Sequence, residues 1–140
     1  MVEIQNLTDE RLDQKYLLKV ADIALKGEKI SEKDLSIVFI DSIEMGKINY
    51  EHLGKTGPTD VLSFELGGDN WVMGVGQKEL GEIFICVEEI EKNKKQEDDL
   101  SKEINRVLIH GILHLCGYDH KEDRDEEMMK QKENFYLSKI

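Results

Sequence analysis

The sequence predicts one domain in which a β-sheet packs on helices, and three observations carry that expectation. At 140 residues the chain is long enough for a helix-covered sheet and too short for two independent cores. Four short runs rich in β-branched and apolar residues have strand length. Longer stretches with helical spacing separate and follow them, and one, Ile104 to Leu115, is apolar on almost every side.

Taken in order, Val2, Ile4 and Leu7 alternate with polar residues and predict a first strand. Thr8 then reads as an N-cap for a helix through Leu12, Tyr16, Leu17, Val20, Ile23, Ala24 and Leu25, with Gly27 as its stop. Leu35 to Ile40 predicts a second strand, followed by a short helical or turn segment through Ile43, Met45 and Ile48. The polar stretch from Asn49 to Gly57 reads as a loop that Pro58, the only proline, closes before a strand at Thr59 to Phe64. Glycines 67, 68, 74 and 76 predict a loop or ragged hairpin, and Gly81 to Cys86 a further strand, giving a four- to five-stranded sheet. Glu88 to Asp99 is dense in charge and reads as a solvated helix and turn. Ser101 and Glu103 stand near the start of the apolar helix, which belongs in the interior. Asp123 to Ile140 predicts a covering helix with an apolar stripe of Met128, Met129, Phe135, Tyr136 and Leu137.

Nineteen basic against thirty acidic residues give a net charge of -11, which opposes a polyanion unless basic groups cluster locally. A general nucleic-acid-binding module is therefore disfavoured. Two cysteines, Cys86 and Cys116, make no secreted disulfide framework, and the first ten residues lack the basic flank and apolar core of a signal peptide. The stretch Val107 to Cys116 is half a membrane span and contains two histidines. A soluble cytoplasmic protein without membrane or DNA partners is expected.

The chemistry is concentrated in His110-Gly111-Ile112-Leu113-His114-Leu115-Cys116-Gly117-Tyr118-Asp119-His120, with three of the chain's four histidines. Four residues of helix turn through about 400°, so His110 and His114 project from one face and can share an ion. Gly117 can end the helix in a left-handed conformation, letting the reversed chain return His120 towards the pair. Three neutral imidazoles leave one tetrahedral position on Zn²⁺ for a water whose pKa falls to about 7, the arrangement of catalytic rather than structural zinc. A single histidine on an apolar helix is ordinarily a hydrogen-bonded core residue. Two on one face, each costing about 1–3 kcal/mol if left unpaired, and a third in reach point to one zinc ion bound by His110, His114 and His120.

The spacing equals that of metzincin proteases, His-Glu-x-x-His-x-x-Gly-x-x-His. Gly111 stands where those proteases carry their glutamate base, so peptide hydrolysis lacks its proton acceptor on this helix.

Residues 110–120 closely resemble the His-Gly-x-Leu-His-Leu-x-Gly-Tyr-Asp-His signature of the YbeY family of bacterial endoribonucleases. Pro58-Thr59-Asp60-Val61-Leu62-Ser63-Phe64 is similar to that family's second signature, and Gly81-Glu82-Ile83 to its Gly-Asp-Ile strand start. The resemblance spans roughly residues 35 to 120. It implies an α+β fold with a mixed sheet against a central buried histidine helix. It also implies one zinc on His110, His114 and His120, and single-strand-specific endoribonuclease activity in ribosomal RNA maturation and ribosome quality control, with the small ribosomal subunit as partner. Asp119 reads either as a carboxylate orienting a ligand or as a surface residue at a helix end. The family's Tyr-Arg-x-Lys-Asp-like segment is replaced here by His52-Leu53-Gly54-Lys55-Thr56, so Leu53 stands at the arginine position. A guanidinium there would grip a phosphate bidentately; leucine cannot. Lys55 is the candidate replacement charge beside His114 in catalysis, against the alternative of a solvated loop lysine, and His52 is a loop histidine without an evident partner. Two other readings stay open: a metal-dependent peptidase on the metzincin spacing, and a non-catalytic, zinc-stabilised ribosome-assembly factor.

Overall fold

The computed structural model describes residues 1–65, 78–118 and 123–140. In chain order the elements are β1 (Val2–Asn6), α1 (Gln14–Gly27), β2 (Asp34–Phe39), α2 (Ser42–Leu53), β3 (Val61–Glu65), β4 (Glu79–Ile85), α3 (Val87–Asn93), α4 (Leu100–Leu115) and α5 (Asp123–Leu137). The sheet has the order β1-β2-β4-β3, with β1, β2 and β4 parallel and β3 antiparallel to β4. The fold is thus α+β with a mixed four-stranded sheet. The loop or hairpin expected over 67–80 lies, except for its last residues, outside the described residues; Glu79 and Leu80 already belong to β4.

Alternation along the strands sorts side chains to two faces. Leu35, Ile37, Phe39, Ile83 and Ile85 face the main core, where α1 packs through Leu17, Val20, Ala21, Ala24 and Leu25 and α4 through Leu108, Ile109, Ile112 and Leu113. Burial of each large side chain there contributes about 1.5–3 kcal/mol. Val38 and Ile40 face the other side with Leu62 and Cys86, under Met45 and Ile48 of α2. The interior position expected for α4 is observed: it touches β3, β4, α1, α3 and α5.

Several local expectations are corrected. Thr8 does not cap α1: its hydroxyl donates to Asn6 Oδ1 (2.6 Å) in a turn, and Asp13 Oδ1 accepts from Tyr16 N–H (3.1 Å) as the cap. The short segment after β2 is a twelve-residue helix that absorbs Asn49 to Leu53. Asn49 reads as polar loop in sequence, but it is buried and donates from Nδ2 to Gly57 O (2.8 Å), tying the helix to the loop that follows. That helix ends where Gly54 adopts φ 66° and donates to Tyr50 O (2.9 Å). α3 is not wholly solvated, since Val87, Glu89 and Ile90 are buried. On α5 the stripe is narrower than expected: Met129 and Tyr136 are buried with Glu133, whereas Met128 and Phe135 are exposed.

Gly27 does end α1, and the reason for glycine there is steric. A Cβ there would collide with Cε1 of the buried Tyr136 ring, so α5 closes on α1 only across a bare backbone.

Candidate metal centre

Arg106, His110 and His114 lie at four-residue intervals on α4, forming one longitudinal stripe. The imidazole Nε2 atoms of His110 and His114 converge to 3.0 Å with the rings edge to face. Two nitrogens on one tetrahedral zinc, each at about 2.0–2.1 Å, stand about 3.3 Å apart. The observed pair therefore fits a shared ion with little adjustment. Past Leu115 the helix closes as expected: Gly117 adopts φ 98°, its N–H donates to His114 O (3.0 Å), and Tyr118 N–H donates to Leu113 O (3.1 Å). His120 and Asp119 lie outside the described residues. Among the described residues no three His, Cys, Asp or Glu side chains form a ligand group, so two members of the expected set are in view.

His110 has a second partner that sequence reasoning missed. Its Nδ1 is hydrogen-bonded to Oε1 of Glu133 on α5, and the other carboxylate oxygen lies 3.6 Å from Nη1 of Arg106. Nothing in the local sequence marks Glu133 among the many acids of α5. The usable signal is positional: it interrupts the buried Met129–Tyr136 stripe, where solvent gives no reason for a charge.

Gly111 is explained by contact. A Cβ there would meet Ile83 Cγ2 and Ser63 Oγ, both at 3.1 Å, and Ser63 Oγ donates to Gly111 O (3.3 Å). Position 111 is thus pressed onto β3 and β4, leaving no room for the carboxylate of a protease.

The two histidines line a cleft of about 480 Å³, whose other walls include Leu53, Lys55, Asp60, Ser63 and Glu65. Fold geometry therefore brings Leu53 and Lys55, distant in sequence, to the histidine pair. Leu53 is the last residue of α2 and 48 % exposed rather than a loop residue, and the Gly54 turn sets Lys55 just beyond it. His52 does not join them. Its ring packs on Phe64 with centroids 5.0 Å apart, in the cluster on the other face of the sheet.

Beside the histidine helix, Glu28 at the end of α1 gathers two donors, with the Tyr118 hydroxyl also acting on it. Tyr136 hydroxyl and Lys132 Nζ (3.2 Å) both donate to its Oε2. Burial acts to raise the Glu28 carboxyl, but these donors outweigh it and hold it below the ordinary glutamate value. Burial and Glu28 together raise the Tyr118 hydroxyl.

A family model described as Endoribonuclease YbeY matches residues 3–140. The chain belongs to the YbeY endoribonuclease family. An Endoribonuclease YbeY of Chlorobium luteolum is 32% identical over 140 residues, covering 99% of this chain and 97% of the relative. Others from Flavobacterium johnsoniae and Aquifex aeolicus are 39% and 36% identical, covering 77% and 87% of this chain and 73% and 80% of their own. The solution structure of a Thermotoga maritima protein superposes with a TM-score of 0.65 at 30% identity, over 98% of this chain and 87% of that one. Family membership thus extends well beyond the segment from 35 to 120 on which the sequence motifs rest. Among the described residues no helix is long and apolar enough to cross a membrane.

Proposed function

We propose that this YbeY-family endoribonuclease cleaves single-stranded RNA at the cleft between α4 and the α2–β3 connection, in the maturation of small-subunit ribosomal RNA. The observation that carries the reading is the convergence of His110 and His114 Nε2 at 3.0 Å inside a cleft that also contains Lys55. His110, His114 and His120 are the residues that would hold one Zn²⁺. Zinc, when bound, supplies Lewis-acid polarisation of a phosphoryl oxygen.

The remaining work falls to the chain itself. Lys55 offers an ammonium point charge to a phosphate entering the cleft, a weaker and less directional grip than a guanidinium at position 53 would give. Leu53 presents an apolar surface in that place. Asp60 and Glu65 line the same cleft and repel a polyanion, in keeping with the chain's net charge of -11. RNA affinity from the cleft alone is therefore low, and this charge balance supports delivery of the strand by a partner, for which the small ribosomal subunit is our reading. A cytoplasmic location accords with that partner.

The test combines elemental analysis of purified protein with cleavage of a single-stranded RNA, each repeated on His114→Ala and Lys55→Ala. His114→Ala is expected to lose both metal and cleavage. Lys55→Ala is expected to retain metal and lose about tenfold in kcat/KM, roughly 1.4 kcal/mol. A wild-type protein with full metal content that leaves every single-stranded and ribosome-bound RNA intact would instead support the assembly-factor reading.

A further inference from the structure

Glu133 is 7% exposed, on a helix whose buried stripe is otherwise Met129 and Tyr136. A carboxylate in such a place is costly unless paired and hydrogen-bonded. Its partners both come from the histidine stripe of α4: His110 Nδ1 on one oxygen, and Arg106, one turn earlier, 3.6 Å from the other. A carboxylate oxygen accepts, so the Glu133 contact pairs with the His110 tautomer that donates from Nδ1 and presents a lone pair at Nε2. That Nε2 is the atom aimed at His114.

We propose that Glu133 is a positioning residue for the metal centre. It selects the His110 tautomer that can ligate and holds the ring plane while Arg106 steadies the carboxylate. The histidine helix therefore depends on α5 for more than coverage. This role rests on the reading of His110 and His114 as metal ligands.

The experiment measures Zn²⁺ affinity by chelator competition, and the visible absorption of bound Co²⁺, for wild type, Glu133→Leu and Glu133→Gln. Melting of each metal-free protein is recorded alongside. Leucine continues the apolar stripe and removes the acceptor; glutamine restores an acceptor oxygen. Glu133→Leu is expected to bind Zn²⁺ about 10–100-fold more weakly, with an altered Co²⁺ spectrum and wild-type melting without metal, and Glu133→Gln to recover part of the affinity. Wild-type affinity and spectrum in Glu133→Leu would overturn the proposal and leave Glu133 a core residue. If the leucine variant does not fold, Glu133→Asp keeps the charge on an arm too short for Nδ1. Weakened binding there supports the role, and wild-type binding overturns it. A wild-type protein that binds neither ion would instead overturn the ligand reading itself.

Discussion

The two walls of the cleft are built to different standards. The α4 wall is buried against the sheet, pinned at Gly111 by Ile83 and Ser63, and buttressed from behind by Glu133 of α5. The opposite wall is the end of a helix and the turn after it, where Leu53 is about half exposed and the underlying cluster is small. Metal ligation tolerates little displacement, because two nitrogens must meet one ion at fixed distance. Contact with an RNA phosphate tolerates more, since a long side chain or the strand itself can adjust. Leu53, which the sequence resemblance sets at the family's arginine position, falls on the tolerant wall.

The largest expected effect comes from exploiting that difference. Leu53→Arg places a guanidinium in the cleft without touching the core, and cleavage of single-stranded RNA should rise, by up to about 10²-fold if the group meets charge in the transition state. Metal content should stay unchanged. Turnover that does not rise would show position 53 to be a bystander to chemistry.

The α4 wall answers differently to a far smaller change. Gly111→Ala adds one methyl between α4 and the sheet, and denaturant unfolding should reveal a loss of about 1–3 kcal/mol from overpacking. An unaltered midpoint would mean that the helix can lift from Ile83 and Ser63, and the contrast in rigidity would disappear.

The smallest effect concerns the support behind α4. Glu28 is held below its ordinary value in the folded protein, so its ionised form stabilises the fold at pH values above about 4.5. That contribution is lost as pH falls through the lowered folded-state value. Wild type should therefore exceed Glu28→Gln in stability at pH 6 and converge with it towards pH 3, as followed by thermal melting. Parallel curves across that range would remove Glu28 from the account.

Much of this was legible in the sequence because it depends on local periodicity. The apolar helix, the His110–His114 pair and the Gly117 reversal all follow from 3.6-residue repetition and one left-handed residue. The four strands were found through apolar runs of the right length. What escaped depends on contacts between distant segments. Asn49 reads as loop because its side chain is polar, yet it is spent on Gly57 O, and the helix runs through it. Thr8 has the chemistry of a cap, but Asn6 takes its hydroxyl. Glu133 has no distinguishing neighbour in sequence; only the crossing of α5 behind α4 gives it a histidine. The meeting of Leu53 and Lys55 with the histidines likewise required the sheet that sets the two walls face to face.

The order in which a ribosome makes these elements gives the Glu133 contact a temporal meaning. Residues 110 and 114 are synthesised before residue 133, so a nascent chain that has produced the histidine helix still lacks the carboxylate against His110 Nδ1. Formation of the contact that the proposal assigns to the centre is thereby tied to completion of α5, the last element of the fold.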